Sequence, residues 1–315
     1  MKKITSFVLV FIMLASLLMS GCAKKDDTEI RIAALKGPTG MGIAKLMGEE
    51  YGKYNISIEA APDTVSGKFI NNEVDVAAVP INLASVLYNK LDKDVVVLSA
   101  VTLGVLYVLE NGDEINSVAD LEGKSIGATG QGSTPEYILN YILEKNNLAG
   151  KVEINYQAEH AALATLLAEG METIGMLPEP NVTTTLSKNE GLRIALDLTE
   201  EWNRLSDTEL VQGVLIARKS FVESHEEAIK QLLKDYKESS EYVASNADAA
   251  AKLIVDAGIL LNEAVAKKTI PNCNIVFYTG SDMRNAVTNM LEVLYDANPK
   301  SIGGNLPDAD FYYGA

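Results

Sequence analysis

The sequence predicts an α/β protein of two lobes, each a mostly parallel sheet flanked by helices, and three observations predict it. Short apolar runs alternate with helix-patterned segments from residue 30 onward, the pattern of βαβ units whose strands are covered on both faces. The order strand, glycine-rich loop, helix, strand, helix, strand, proline-bearing loop is then written twice. It ends first at Glu73-Val74-Asp75-Val76-Ala77-Ala78-Val79-Pro80 and again at Glu172-Thr173-Ile174-Gly175-Met176-Leu177-Pro178. Finally, 315 residues with 47% hydrophobic and 22% charged content suffice for two ordinary cores and carry no bulk disorder.

In the first repeat an apolar run over 30–35 breaks into Lys36-Gly37-Pro38-Thr39-Gly40 and resumes at helical spacing through Ile43, Leu46 and Met47, predicting a helix over 41–51. Strands over 55–61 and 74–79 and helices over 65–72 and 83–90 follow, then two apolar runs, 95–101 and 105–109, around Thr102-Leu103-Gly104. The second repeat has a strand over 124–128, the loop Thr129-Gly130-Gln131-Gly132-Ser133-Thr134-Pro135, and a helix with Tyr137, Ile138, Tyr141 and Ile142 on one side. A strand over 152–156, an Ala/Leu helix over 161–168 and a strand over 172–177 complete it. Beyond lie an apolar run over 192–198, a turn region at 200–203 and an extended 211–217. Helices over 221–244, 247–257 and 263–268, a strand over 274–278, a long helix over 282–296 and an aromatic tail that should dock on a lobe end the chain. No Pro-, Gly- or Ser-rich linker separates the lobes, so the crossings should be structured segments, 102–107 going out and 211–215 coming back. Lobe 1 is thus expected from 29–104 plus 214–315, and lobe 2, inserted, from 105–213.

Lys and Arg number 27 against 43 Asp and Glu, a net charge of -16, which argues against nucleic acid as a partner. Two histidines, His160 and His225, and two cysteines, Cys22 and Cys273, leave no soft ligand set for zinc or iron, and no calcium-loop spacing appears. Metal and cofactor are therefore both expected to be absent. Both histidines lie in acidic, Ala-rich stretches and are poor candidates for catalysis. Neither a Gly-x-Ser-x-Gly elbow nor a Walker-type loop is present, and Gly40-Met41-Gly42 and Gly130-Gln131-Gly132 lack the dinucleotide spacing.

The N-terminus reads Lys2-Lys3, an apolar stretch over 7–19, then Ser20-Gly21-Cys22, a secretory signal over 1–21. That stretch is shorter than the ~20 residues a membrane span needs. A cut before a cysteine resembles the lipobox of bacterial lipoproteins, with Met19 where Leu, Val or Ile is commoner. The resemblance implies lipid on Cys22, a polar tether over 22–28, and a mature chain of 315 − 21 = 294 residues with charge -16 − 2 = -18. Cys273 then has no disulfide partner and should be a buried small hydrophobe.

In open parallel sheets ligands bind beyond the carboxyl ends of the strands, so facing lobes would put four loops around one cleft. The first loop offers Lys36, Gly37, Pro38, Thr39 and Gly40, with Lys36 able to neutralise an anion or simply to sit in solvent. Ile81 and Asn82 follow Pro80. Gly130, Gln131, Gly132, Ser133 and Thr134 bring backbone N–H groups, hydroxyls and an amide to a helix start, which suits an acceptor-rich ligand and is equally an ordinary N-cap with Pro in the first turn. Glu179, between two prolines, is either a cap on the next helix or an acceptor in the cleft. Trp202, the one tryptophan, could stack on a flat ligand or belong to the core, and Tyr107 beside Thr102 at the outgoing crossing has the same two readings.

With these pieces assembled, the chain from residue 29 onward resembles a type II periplasmic binding protein of an ABC importer. It is most similar to the nitrate/sulfonate/taurine and thiamine-precursor group. The resemblance is carried by Leu35-Lys36-Gly37-Pro38-Thr39-Gly40, Val74-Asp75-Val76-Ala77 before Pro80, Gly123-Lys124-Ser125-Ile126-Gly127 and Leu177-Pro178-Glu179-Pro180. It implies a monomeric, lipid-anchored, extracytoplasmic receptor that is not an enzyme, with a small-molecule solute, an ABC permease and an ATPase as partners. Enzymes similar to menaquinone-pathway dehydratases or pyrimidine-precursor synthases share the scaffold and form the competing class. A surface sensor or adhesin is the third.

Overall fold

The computed structural model describes residues 28–314, so the signal segment, Cys22 and most of the tether lie outside the described residues. Among the described residues no helix is long and apolar enough to cross a membrane. Eleven strands form two sheets. Sheet one holds β1 (Ile30–Leu35), β2 (Tyr54–Glu59), β3 (Val76–Pro80), β4 (Val96–Thr102), β10 (Gly213–Ala217) and β11 (Ile275–Tyr278) in the order β11-β4-β10-β3-β1-β2. Sheet two holds β5 (Leu106–Asn111), β6 (Ser125–Thr129), β7 (Glu153–Gln157), β8 (Ile174–Pro178) and β9 (Leu192–Asp197) in the order β7-β6-β8-β5-β9.

Strand direction follows from how the chain moves between the sheets. From the pairings, β1, β2, β3 and β4 point one way in sheet one, four of six, and β6, β7, β8 and β9 do so in sheet two, four of five. The exceptions are β5, β10 and the edge strand β11, and the first two are the first strands after each crossing. A strand that starts at the crossing must run against those that end there, and both pair antiparallel to their neighbours. The chain leaves sheet one after Thr102 and enters sheet two at Leu106; it returns to sheet one at Gly213.

The helices are α1 (Pro38–Met41), α2 (Pro62–Ile70), α3 (Ile81–Lys90), α4 (Thr134–Lys145), α5 (His160–Ala168), α6 (Asn181–Leu186) and α7 (Leu198–Asn203), then α8 (Lys219–Ser224), α9 (Glu226–Ser245), α10 (Ala247–Asp256), α11 (Glu263–Thr269) and α12 (Gly280–Ala297). Three depart from expectation, and one of them, expected as a single helix over 221–244, is the pair α8 and α9 broken at His225, which takes φ -135°, ψ 45°. The helix predicted over 41–51 is the four-residue α1 followed by 3-10 turns at Ala44–Met47 and Glu49–Tyr51. Gly40, Gly42 and Gly48 weaken an α-helix there, and Gly48 is extended at φ -70°, ψ 153°. The turn region at 200–203 is instead helical in α7, because the Asp197 carboxylate accepts the amides of Thr199 and Glu200 and caps it.

The largest apolar cluster crosses from one sheet to the other. It joins Val79, Ile81 and Val214 of sheet one's side to Ile126, Ile138 and Leu196 of sheet two's through Leu103, Leu106, Leu210 and Val211 at the crossings. The aromatic tail packs as expected: Phe311 is buried, the Tyr313 amide donates to Val97 O at 3.0 Å, and the Tyr312 and Thr288 hydroxyls lie 2.8 Å apart.

Candidate functional site

The carboxyl ends of strands from both sheets are brought to the crossing by main-chain hydrogen bonds. Gln212, the residue before β10, donates its amide to Thr102 O at the end of β4 and accepts the Ile81 amide after β3, each at 3.0 Å. Its side-chain Oε1 accepts the Val105 amide at 2.7 Å. Val105 O in turn accepts the amide of Glu179, after β8, at 3.0 Å. The β3 and β8 loops therefore meet around the same four residues, 103–105 and 212. The first loop joins them through Thr102, whose Oγ1 is 3.5 Å from Pro38 O, and through Gly213. A Cβ at Gly213 would stand 3.0 Å from Thr102 Cβ and 3.1 Å from Thr39 Oγ1, so a side chain there would force these neighbours back by a few tenths of an ångström.

Within the first loop, Lys36 is exposed and its amide donates to Glu59 O at 2.9 Å, which leaves the ammonium as its free donor. Gly37 sits at φ 87°, ψ -159°, a region that in practice only glycine occupies, and Pro38 opens α1. Thr39 and Asn82 are half-buried, and Gly40 and Ile81 are buried.

The Gly130 loop stands on the same edge, because β6 runs parallel beside β8. Gly130 and Gly132 both take positive φ, 78° and 74°. The loop is closed on itself: Ser133 Oγ donates to Gly130 O at 2.6 Å, the Gly132 amide donates to Glu136 Oε2 at 2.5 Å, and Tyr137 OH donates to Gly132 O at 3.2 Å. Ser133 occupies the N-cap position of α4 without a side-chain cap bond. Capping thus does not consume its hydroxyl. Gln131 is exposed and Thr134 half-buried.

Three expected ligand-facing side chains are turned inward. Trp202 has no exposed surface; its ring lies 4.7 Å from that of Tyr141 and its Nε1–H donates to Thr208 O at 2.9 Å. It is core, which corrects the stacking role, because α7 presents it to the apolar cluster and not to the loops. Tyr107 is buried, donates to Asn272 O at 2.8 Å, and has its phenol pushed up, foremost by burial and next by Asp197. Glu179 is buried too. Its Oε1 accepts Thr183 Oγ1 at 2.8 Å and Asn272 Nδ2 at 3.0 Å, and its Oε2 accepts the Thr183 amide at 3.1 Å. Burial raises its pKa, and these three donors act in the other direction. The carboxylate therefore both caps α6 and reaches across the crossing.

A residue set aside on sequence grounds comes to the edge. His160 opens α5 just past β7, and its Nδ1 lies 2.6 Å from Thr129 Oγ1, the last residue of β6. Burial lowers its pKa, opposed by nearby Glu159. A neutral imidazole is accordingly held beside the Gly130 loop, able to donate or accept. The sequence signal that could have found it is its place immediately after a strand's carboxyl end. His225 is elsewhere, with its ring 4.6 Å from that of Phe221. Among the described residues no group of three or more His, Cys, Asp or Glu side chains is arranged to hold a metal ion.

Similar proteins share this architecture. An ABC transporter structure from Parabacteroides distasonis aligns at 23% identity and a TM-score of 0.79, over 91% of this chain and 99% of that one. The periplasmic aliphatic sulphonate binding protein from Escherichia coli aligns at 17% identity and 0.71, over 90% and 91%. The alkanesulfonate-binding protein from Xanthomonas axonopodis pv. citri, solved bound to MOPS, aligns at 16% and 0.62, over 89% and 94%. Among curated proteins no sequence match is found. A family model described as menaquinone biosynthesis matches residues 47–295, most of the chain. The fold is that of the ABC-importer solute-binding proteins of periplasmic type II, and by sequence the chain belongs to the menaquinone biosynthesis family.

Proposed function

We propose that the protein is an extracytoplasmic solute receptor, lipid-anchored through Cys22, that captures a small polar or heteroaromatic solute between two lobes and delivers it to an ABC permease and its ATPase. Lobe 1 is 29–104 plus 214–315 and lobe 2 is 105–213. The observation that carries this reading is the gathering of strand carboxyl ends from both sheets at one crossing, with glycine-built loops at that edge. Lys36, Ser133, Thr134, Asn82 and Gln131 supply the polar contacts. Binding energy comes from dipoles and hydrogen bonds in a closing cleft, with no bond made or broken. The relation to sulfonate-binding structures and the secretory signal both support it.

Calorimetry and melting shifts across sulfonates, nitrate, pyrimidines, amines and vitamins should find one class that binds saturably and is recovered unchanged. In that class, replacing Ser133 and Thr134 by Ala should weaken binding more than it lowers the melting temperature. Turnover of a candidate without saturable binding would overturn the reading.

A second reading is favoured by the family match: an enzyme similar to the menaquinone-pathway dehydratases on the same scaffold. His160, neutral at the sheet edge beside Thr129, is the base such an enzyme would use. Mass spectrometry of candidate solutes after incubation separates the two, since His160→Gln would abolish conversion in the enzyme and leave a receptor's recovered ligand chemically unaltered.

A further inference from the structure

The crossing between the sheets contains more than its two covalent connections. Asn272 precedes β11 of sheet one, yet it bonds to sheet two twice. Its side-chain Nδ2 donates to Glu179 Oε1 at 3.0 Å, and its carbonyl accepts the Tyr107 hydroxyl at 2.8 Å. Two residues on, Asn274 Nδ2 donates to Gly104 O at 2.6 Å and Asn274 O accepts the Leu103 amide at 3.0 Å. Asn274 holds φ 43°, in the left-handed region, which turns the segment so that both asparagines face the crossing. The acceptor is fixed in advance, because Thr183 clamps Glu179 with both its amide and its hydroxyl.

We propose that Asn272 is a positioning residue, a non-covalent third tie that sets the angle between the two sheets. Bending at 103–105 and 204–212 moves Tyr107 and Glu179 relative to Asn272, so a change of angle must stretch or break two part-buried hydrogen bonds. Such bonds to a buried carboxylate and phenol are costly to leave unmade. The arrangement of the sheets is therefore held in part by a residue remote in sequence from both crossings, which acts on the loop after β8 through Glu179 and on β5 through Tyr107. This inference does not depend on what the protein binds.

Small-angle scattering and amide exchange on the full chain test it without ligand. Asn272→Ala should increase the radius of gyration and speed exchange of the Glu179 amide, which donates to Val105 O, by about tenfold, the loss of one charged hydrogen bond. Asn272→Asp sets a second carboxylate against Glu179, with the Cys273 thiol and Tyr107 phenol as the other titratable groups there. It should be expanded at pH 8 and contract toward wild-type dimensions as pH falls and the two carboxylates come to share a proton. Thr183→Val, which loosens Glu179 from within sheet two alone, should lower the melting temperature and leave the dimensions unchanged. Wild-type dimensions and exchange in a folded Asn272→Ala would overturn the proposal, as would Thr183→Val expanding the molecule equally. Should Asn272→Asp not fold at pH 8, Asn272→Ala decides alone.

Discussion

Gly104→Ala places a methyl group in the narrowest part of the outgoing crossing. A Cβ at Gly104 would stand well inside the contact distance of Thr199 Oγ1, 3.1 Å from Thr199 Cβ and 2.8 Å from Leu210 Cδ2. The Thr199 backbone is held in the first turn of α7, where its amide donates to Asp197 Oδ1 at 2.8 Å, so its Cβ stays in place and relief has to come from a rotamer change of the unbonded, buried Oγ1. Leu210 is the far end of a flexible side chain and can swing away. Overpacking of this kind costs about 1–3 kcal/mol, and the rigid partner puts Gly104→Ala near the upper end. In a Thr199→Ala background the closest obstacle is gone, and the same substitution should cost about 1 kcal/mol, a coupling of roughly 1–2 kcal/mol. Urea denaturation of wild type, both single variants and the double variant supplies the four numbers. A cost below about 0.5 kcal/mol for Gly104→Ala, or equal costs in both backgrounds, refutes the claim that glycine is required there by close approach.

Three further outcomes are expected. Trp202→Ala should lose about 3–5 kcal/mol of stability, and in the wild type acrylamide should quench the single tryptophan weakly whether or not solute is present; strong quenching would place the ring at the surface. His160 has a folded pKa below its ordinary 6.5, so it contributes no pH dependence above that value. As pH falls below it, the unfolded chain takes up a proton that the folded state resists, and stability is lost down to the folded pKa. Relative to His160→Gln, wild type should be weaker at pH 5.5 than at pH 7.5 in denaturant titrations, the loss setting in below about 6.5, and parallel curves would contradict this. Gly132→Ala meets nothing within 4 Å and should cost only the positive-φ penalty, about 1–2 kcal/mol, whereas Gly130→Ala adds a clash 2.9 Å from Pro135 Cγ and should cost more; equal melting temperatures would count against it.

What the sequence revealed was whatever is local and periodic. Period-two and helical apolar patterns located β1, β3, β6, β8, α4 and α12 within a few residues, and glycine with proline marked the loops that follow the strands. Side-chain direction was hidden, because it depends on partners distant in the chain. Trp202 reads as a choice between ligand stacking and core until Asp197 caps α7 and the ring lies against Tyr141. Glu179 reads as a choice between cap and cleft until Asn272, nearly a hundred residues later, takes its free lone pair. His160 was dismissed for its acidic, alanine-rich neighbours, although its meaning lies in Thr129 across the sheet. The apolar spacing predicts a helix over 41–51, but the density of glycine there, itself visible in the sequence, breaks it into short turns.

Sheet one is assembled from strands at 30–102 and 213–278 and sealed by a tail that pairs Tyr312 with Val97, while every strand of sheet two lies within 106–197. Closing the first requires joining segments far apart along the chain, an entropic cost that the second avoids. During synthesis, sheet two is therefore expected to mature first, and residues 213–312, which follow it in the chain, complete sheet one around a middle that is already in place.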